Sequence, residues 1–331
     1  MNARRYPKLH IRSKNELARQ ISSKRLPIPE ASLLIQDAHE NFDHYWRDHI
    51  KLSEPSKNKW VRDASRTNLS KLHKLINDRV LGPHDRMLPA FVFGGISGRD
   101  HKSAVKHLLG KKRGRILLKL DIKRFYERIR AERVQQFFAQ KCECSYKGAK
   151  ILTGLCCVPV GPKDSPGPHK TIGRGFAPSS RLAVWCNLDT FIKLERLVQK
   201  ELKGKDPQIS IYVDDIGITA SKTSKEEMIA LYKKIEKILD LDDNQKLPLN
   251  EEKTKIIYHS GETYDIRGNY LGKRGFEILG IQMNRNSLTL GTKTRWKLVN
   301  LKKEIHEKVK SNISLKKRRR AVIRYKRYIE R

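Results

Sequence analysis

Apolar residues alternate along ISIYVDDIGITA, at Ile209, Ile211 and Val213 and again at Ile216, Ile218 and Ala220. A period of two on each side of an acidic centre predicts two half-buried strands joined as a hairpin. RILLKLDI, Arg115 to Ile122, is nearly unbroken in its apolar run and reads as a buried strand. KTKIIYHS and FEILGIQM are strand-like as well. Elsewhere the spacing lengthens to that of helices. EASLLIQDAHENFDHYWRDHI, entered through Pro27 and Pro29, repeats its apolar residues helically, and RTNLSKLHKLINDRVL does so until Gly82-Pro83 ends it. LPAFVFGGISGRDHKSAVKHLLGKK runs from an apolar stretch through a glycine-rich turn into a short helix. SSRLAVWCNLDTFIKLERLVQKEL, EEMIALYKKIEKILDL and the strongly basic end KTRWKLVNLKKEIHEKVKSNISLKKRRRAVIRYKRYIER complete the helical set. Between them VPVGPKDSPGPHKTIGRGF holds Pro159, Pro162, Pro166 and Pro168, four of the thirteen prolines, and reads as a loop. No internal repeat interrupts this order. Strand, helix, hairpin, helix and strand make an α+β core with helical flanks.

Charge changes the picture. The 331 residues carry 71 Lys and Arg against 36 Asp and Glu, a formal net charge of +35. Such an excess points to a polyanionic partner, since each phosphate neutralised by Lys or Arg releases condensed counterions. A chain of this length is expected to form two or three lobes. No apolar run approaches a membrane span, and MNARRYPKLHIRSKNELARQ has no apolar signal core, so a cytoplasmic protein without membrane contact is expected. Cys142, Cys144, Cys156, Cys157 and Cys186 lack both the two-residue gaps and the histidine of a usual zinc set. They are expected as buried small hydrophobes rather than disulfides.

Against this background the acids stand out. Asp121 closes the buried strand, and Asp214 and Asp215 sit at the tip of the hairpin. Carboxylates at strand ends suit two-metal phosphoryl transfer, in which two Mg²⁺ ions roughly 3.5–4 Å apart serve the attacking and leaving oxygens. A divalent cation would also neutralise the repulsion between the neighbouring acids. A lone Asp-Asp pair is equally ordinary turn chemistry, and the separate strand-borne Asp121 is what favours the metal reading. Because neighbours on an extended strand point oppositely, Asp214 is expected to join Asp121 as a bridging ligand, with Asp215 in a lesser part.

Taken together, these stretches resemble reverse transcriptases across roughly residues 57 to 300. YVDDIGITA resembles their YxDD box and LLKLDIKRFYERI their first palm motif. RGFAPSSRLAVWCNLD is similar to the QGAPSSPxLAN box, LNEEKTKI to the lysine-bearing motif that follows the hairpin, and FEILGIQMN to the primer-grip strands. FGGISGRDHKSAVKH resembles the fingers segment of bacterial members, with Ser103-Ala104-Val105-Lys106-His107 where retrons carry Asn-Ala-x-x-His. The resemblance implies a right-hand polymerase: helical fingers over 1–114, an antiparallel-sheet palm with some fingers elements over 115–289, and a short basic helical thumb over 290–331. It makes Asp121, Asp214 and Asp215 the catalytic, metal-binding triad for two Mg²⁺ ions, with the Ile122 carbonyl as a further ligand. Tyr126 falls at the aromatic steric gate that favours dNTPs. Ala177, Pro178 and Ser179 would lie against the nucleotide, Lys253 would approach the triphosphate and could protonate pyrophosphate, and Lys57 and Lys59 would clamp the β- and γ-phosphates. Leu279 and Gly280 belong to the primer grip.

Several positions depart from the family pattern. Gly175-Phe176 stands where Gln-Gly is usual, unless an insertion shifts that pair to Arg174-Gly175; Arg181 replaces a proline, and Arg124 an often acidic residue. Ile278-Leu279-Gly280 replaces the Val-Thr-Gly of retrons, so the resemblance leans toward related bacterial defence and abortive-infection enzymes. Nothing resembles an endonuclease, an RNase H or a maturase DNA-binding domain. The implied activity is RNA-directed DNA synthesis within an antiviral system. A structured noncoding RNA, dNTPs and the DNA product would be its partners, and a second reverse transcriptase or an effector protein would accompany it. Two alternatives stay open: protein-primed or otherwise non-standard synthesis, for which eleven tyrosines offer hydroxyls, and a degenerate scaffold that only binds RNA.

Overall fold

A computed structural model describes residues 5–240, 246–284, 287–307 and 313–330. The chain divides into two compact units, each built from separated stretches: Met1–Gly98, Lys123–Ile192 and Leu239–Pro248 in the first, Arg99–Ile122, Lys193–Ile238 and Leu249–Arg331 in the second. The units interleave along the chain, whereas the expected fingers, palm and thumb are consecutive.

The first unit is mainly helical, with Lys14–Ile21, Ile28–Glu40, Asn68–Leu75, Tyr146–Cys156 and Ser179–Cys186 among its helices. Two short antiparallel ribbons join them, Arg47–Asp48 with Arg62–Asp63 and Cys157–Pro159 with Lys170–Ile172. The second ribbon brackets the proline-rich loop. Thr67 caps Asn68–Leu75 by accepting from the Ser70 N–H, and the helix runs on through a wider turn, Ile76–Leu81, to the expected stop. The helix read from EASLLIQDAHENFDHYWRDHI ends ten residues early, at Glu40. Asp37 explains the stop: its carboxylate accepts from the Asn41 amide at 3.0 Å, the Tyr45 hydroxyl at 2.7 Å and the Asn68 amide at 2.8 Å. These bonds turn the chain aside before a further helical turn forms. The helical stretch from Ser179 likewise breaks at Asn187 before resuming as Leu188–Glu201. Cys142, Cys144, Cys156 and Cys157 are buried as expected while Cys186 is half-buried, and burial pushes the Cys144 thiol up to about 11 and the Cys156 thiol to about 12.

The second unit is organised on a six-stranded antiparallel sheet, in the order Tyr270–Lys273, Glu262–Tyr264, Lys255–Tyr258, Arg115–Asp121, Asp215–Ser221 and Gln208–Tyr212. Arg115–Asp121 is central, and Ile116, Leu117, Leu118 and Leu120 are all buried, as its apolar run requires. Its first residue is an anchor. The buried Arg115 guanidinium donates to the Asp206 carboxylate and carbonyl, both at 2.6 Å, and to Thr219 Oγ1 at 2.9 Å. With that end pinned, the register carries Arg115 opposite Ser221 through to Asp121 opposite Asp215. On the other flank Lys119 faces Lys255. Gly217 sits across from Lys119, and a Cβ there would lie 2.7 Å from both Ile278 Cδ1 and Leu108 Cδ1, so its missing side chain sets how closely the layers pack.

FEILGIQM is not one strand. It folds as a hairpin, Glu277–Ile278 against Ile281–Met283, with Leu279 and Gly280 as a two-residue turn and Leu288–Leu290 as a third strand. Both turn residues take positive φ, 55° and 74°, the pattern of the tightest hairpins. Two helices follow, Thr292–Glu307 and Ile313–Glu330. Lys293, Trp296, Lys297, Asn300, Leu301 and Arg318 line a cavity of about 380 Å³ on them. The second helix is held where Ile329 enters the core, Tyr328 donates to Asp100, and Lys102 Nζ donates to the Tyr328 carbonyl at 2.7 Å.

Candidate active site

Three acids meet at the unpinned end of the central strand. Residues paired across antiparallel strands share a face of the sheet, so Asp121 and Asp215 do. The connection between Gln208–Tyr212 and Asp215–Ser221 is only Val213 and Asp214. Asp214 accepts through its carbonyl from the Ile122 N–H at 3.0 Å, which fastens the turn to the end of the central strand. Alternation along an extended strand therefore does not apply to the pair as expected: Asp214 lies in the turn, and Asp215 is the acid in register with Asp121. Val213 takes φ of +59°, a left-handed conformation that a β-branched residue adopts only where its surroundings impose it. Tyr212, just before it, stacks on the His101 ring at 4.2 Å.

The electrostatics of this spot are those of concentrated negative charge. Burial, then Asp214, and to a lesser extent Asp121, push the Asp215 carboxyl up to about 6, while Lys119 and Lys253 draw it down. The Lys253 ammonium donates to both Asp121 carboxylate oxygens, at 3.0 and 3.2 Å. Its position is set locally: Asn250 N–H donates to the Asp121 carbonyl at 2.8 Å, and the Asn250 carbonyl takes the Lys253 and Thr254 N–H groups. Among the described residues, no three His, Cys, Asp or Glu side chains stand arranged to hold a metal ion. The donor set nevertheless fits one. Three acidic side chains, one of them raised by burial and by the other two, with an ammonium resting on Asp121, offer hard oxygens to a hard divalent cation.

Apart from Ile122 and Lys253, which belong to the second unit, the residues expected to face a nucleotide fall in the first. Tyr126 is half-buried, and its hydroxyl shares a hydrogen bond of 2.8 Å with Ser180 Oγ. Ala177 is exposed, Pro178 is buried, and the buried Ser179 donates its hydroxyl to the Gly173 carbonyl at 2.6 Å. Arg181, which stands in place of a proline, is a buried anchor. It forks onto Asp85 at 2.8 and 2.9 Å and reaches the Asn77 carbonyl at 2.8 Å. Lys57 and Lys59 both donate to the partly exposed Glu54, at 2.5 and 2.7 Å, and they hold its carboxyl down at about 2. Both lysines thus already have an anionic partner.

The reverse transcriptase (RNA-dependent DNA polymerase) family model matches residues 57–283, more than two thirds of the chain. The chain belongs to that family. Its α+β architecture, with an antiparallel sheet as palm, is the expected one. Over 192 residues this reverse transcriptase domain is 27% identical to the retron Ec48 reverse transcriptase of Escherichia coli, covering 55% of this chain and 42% of the relative. The match thus spans under half of that relative's length. An apo telomerase from Candida tropicalis, truncated from its C-terminal domain, aligns at 12% identity with a TM-score of 0.42, over 66% of this chain and 45% of that one. No helix among the described residues is long and apolar enough to cross a membrane.

Several residues around the reverse transcriptase motifs escape a reading of sequence alone. Asp85, Glu127, Arg174 and Ser180 matter through partners 47 to 96 positions away, and no local spacing announces them. Glu54 is different, because it stands three residues before Lys57 and five before Lys59.

Proposed function

We propose that the protein is an RNA-directed DNA polymerase, extending a 3′-hydroxyl with dNTPs on an RNA template. The observation that carries this reading is the convergence of Asp121, Asp214 and Asp215 at one end of a central strand pair, within a chain of this family. Asp121, Asp214 and Asp215, with the Ile122 carbonyl, would hold two Mg²⁺ ions. When bound, these supply Lewis acidity for the attacking hydroxyl and charge neutralisation for the departing pyrophosphate.

The chain's own residues do the remainder. Lys253, poised on Asp121, is placed to exchange that carboxylate for the incoming triphosphate and to protonate pyrophosphate. Lys57 and Lys59 would trade Glu54 for the β- and γ-phosphates, a swap that favours the more highly charged partner. Ala177, Pro178 and Ser179 form the platform under the nucleotide, and the Tyr126 ring screens its 2′ position. Leu279 and Gly280, in their tight turn, seat the primer strand. The basic helices after residue 290 grip the template–primer duplex, and the division into fingers 1–114, palm 115–289 and thumb 290–331 belongs to this reading. The net charge of +35 supports tenure on nucleic acid that weakens steeply with salt.

Similarity to a retron enzyme supports a structured noncoding RNA as partner and template, in a bacterial antiviral system in the cytoplasm. A second reverse transcriptase or an effector protein completes that proposal. Radiolabelled dNTP incorporation on bound RNA, with and without Mg²⁺, tests the enzyme. Wild type should incorporate and Asp214→Asn should not. Equal incorporation by both removes Asp214 from catalysis, and none by either favours an RNA-binding scaffold. Sequencing the nucleic acid that copurifies tests the choice of RNA.

A further inference from the structure

We propose that Ser180 and Arg174 determine sugar specificity by clamping the Tyr126 ring, so that discrimination between deoxy- and ribonucleoside triphosphates depends on them. This rests on the reading of Tyr126 as the aromatic that screens the 2′ position. A screening ring rejects a 2′-hydroxyl only as firmly as it resists being pushed aside. Tyr126 is restrained on three sides. Its hydroxyl is tied to Ser180 Oγ at 2.8 Å, the Arg174 guanidinium covers its face at 4.7 Å from the ring centre, and Phe125 meets it edge-on at 5.9 Å.

The restraining groups are themselves immobilised. Arg174 forks onto Glu127, with Nε donating at 3.0 Å and Nη2 at 2.9 Å, and both side chains are about 15% exposed. Its carbonyl accepts from the Arg62 N–H at 2.6 Å. Gly175, at φ of +102°, lies so close to Arg62 that a Cβ would fall 2.5 Å from its carbonyl oxygen. The backbone that aims Arg174 therefore has no slack. Ser180 is hemmed in by Gly95, where a Cβ would come within 2.8 Å of the Ser180 Cβ. Glu127 follows Tyr126 in the short helix Phe125–Arg128, so ring, arginine and glutamate form a closed circuit. A glutamine at 174, the usual residue if the motif is aligned there, would lack both the charge over the ring and the two-pronged bond to Glu127.

The test is single-nucleotide incorporation by the full-length protein on a primed RNA, comparing kcat/KM for dCTP with that for CTP. Tyr126→Ala should cut the preference for dCTP about 100-fold, the range for a shape-selective contact. Ser180→Ala and Tyr126→Phe should each cut it about 5-fold, through better use of CTP. Their double variant should match either single, because both remove the same bond. Arg174→Met should cut it about 10-fold. A merely structural role would lower both substrates together and leave the ratio unchanged. The clamp is overturned if Tyr126→Ala collapses the preference while Ser180→Ala and Arg174→Met leave it intact. Should Tyr126→Ala change nothing, the screening role itself is wrong and the clamp falls with it. If Arg174→Met does not fold, the Ser180–Tyr126 cycle decides alone.

Discussion

Replacing Asp215 with asparagine should stabilise the metal-free protein at pH 8 and leave its stability nearly unchanged at about pH 3. The Asp215 carboxyl rises from an ordinary 3.8 to about 6, first through burial and then through Asp214. Well below pH 3.8 it is protonated both folded and unfolded, and it costs nothing. As pH rises toward 6 the unfolded chain ionises while the folded one does not, so stability falls; above 6 the loss is complete. A shift of that size corresponds to about 3 kcal/mol. Because the side chain is half-buried and faces Lys119 and Lys253, a realised difference on the order of 2 kcal/mol is expected. Urea unfolding in EDTA at the two pH values measures it. Adding Mg²⁺ at pH 8 should then stabilise wild type more than the variant, since a ligand that binds only the folded form adds stability through its affinity. A variant no more stable than wild type at pH 8 would refute the claim that burial and the neighbouring acids disfavour a charged Asp215 in the absence of a cation.

Gly217→Ala should destabilise by about 1–3 kcal/mol, toward the lower figure because the new methyl meets flexible ends of Leu108 and Ile278; urea midpoints read this. Arg181→Met should cost about 3–5 kcal/mol in the same assay by stranding the Asp85 carboxylate, and Arg181→Met with Asp85→Leu should recover most of the loss. Lys253→Met should slow dNTP incorporation about 100-fold while RNA affinity in a gel shift stays near wild type.

The strands that carry the three acids were legible because their pattern is local. A period of two around Asp214-Asp215 and an apolar run ending at Asp121 are properties of consecutive residues, and the strands pair accordingly, although the strand after Asp215 is buried on both faces rather than half-buried. Where the reading failed, a short-range competitor prevailed. Asp37 gathers three hydrogen-bond donors and ends a helix whose apolar spacing runs on to Ile50. Leu279-Gly280 carries apolar residues on both sides, so a hairpin reads as one strand until the positive φ angles are seen. The reasoning that led to Asp214, though not the acid itself, assumed an extended backbone where there is a turn. Arg181 looked like a lapse from the family pattern and is a buried tether to Asp85. That pairing joins residues 96 apart, which only the fold can bring together.

Because two residues alone connect the hairpin strands, the backbone of the acidic tip tolerates changes of side chain better than changes of length. An extra residue there that slid the strand by a position, rather than lengthening the turn, would bring every side chain beyond it to the opposite surface. Ile216 and Ile218 would exchange places with Asp215 and Gly217. The address of the carboxylates is therefore kept by counting, and a single-codon insertion that slid the strand would silence them without altering any of their atoms.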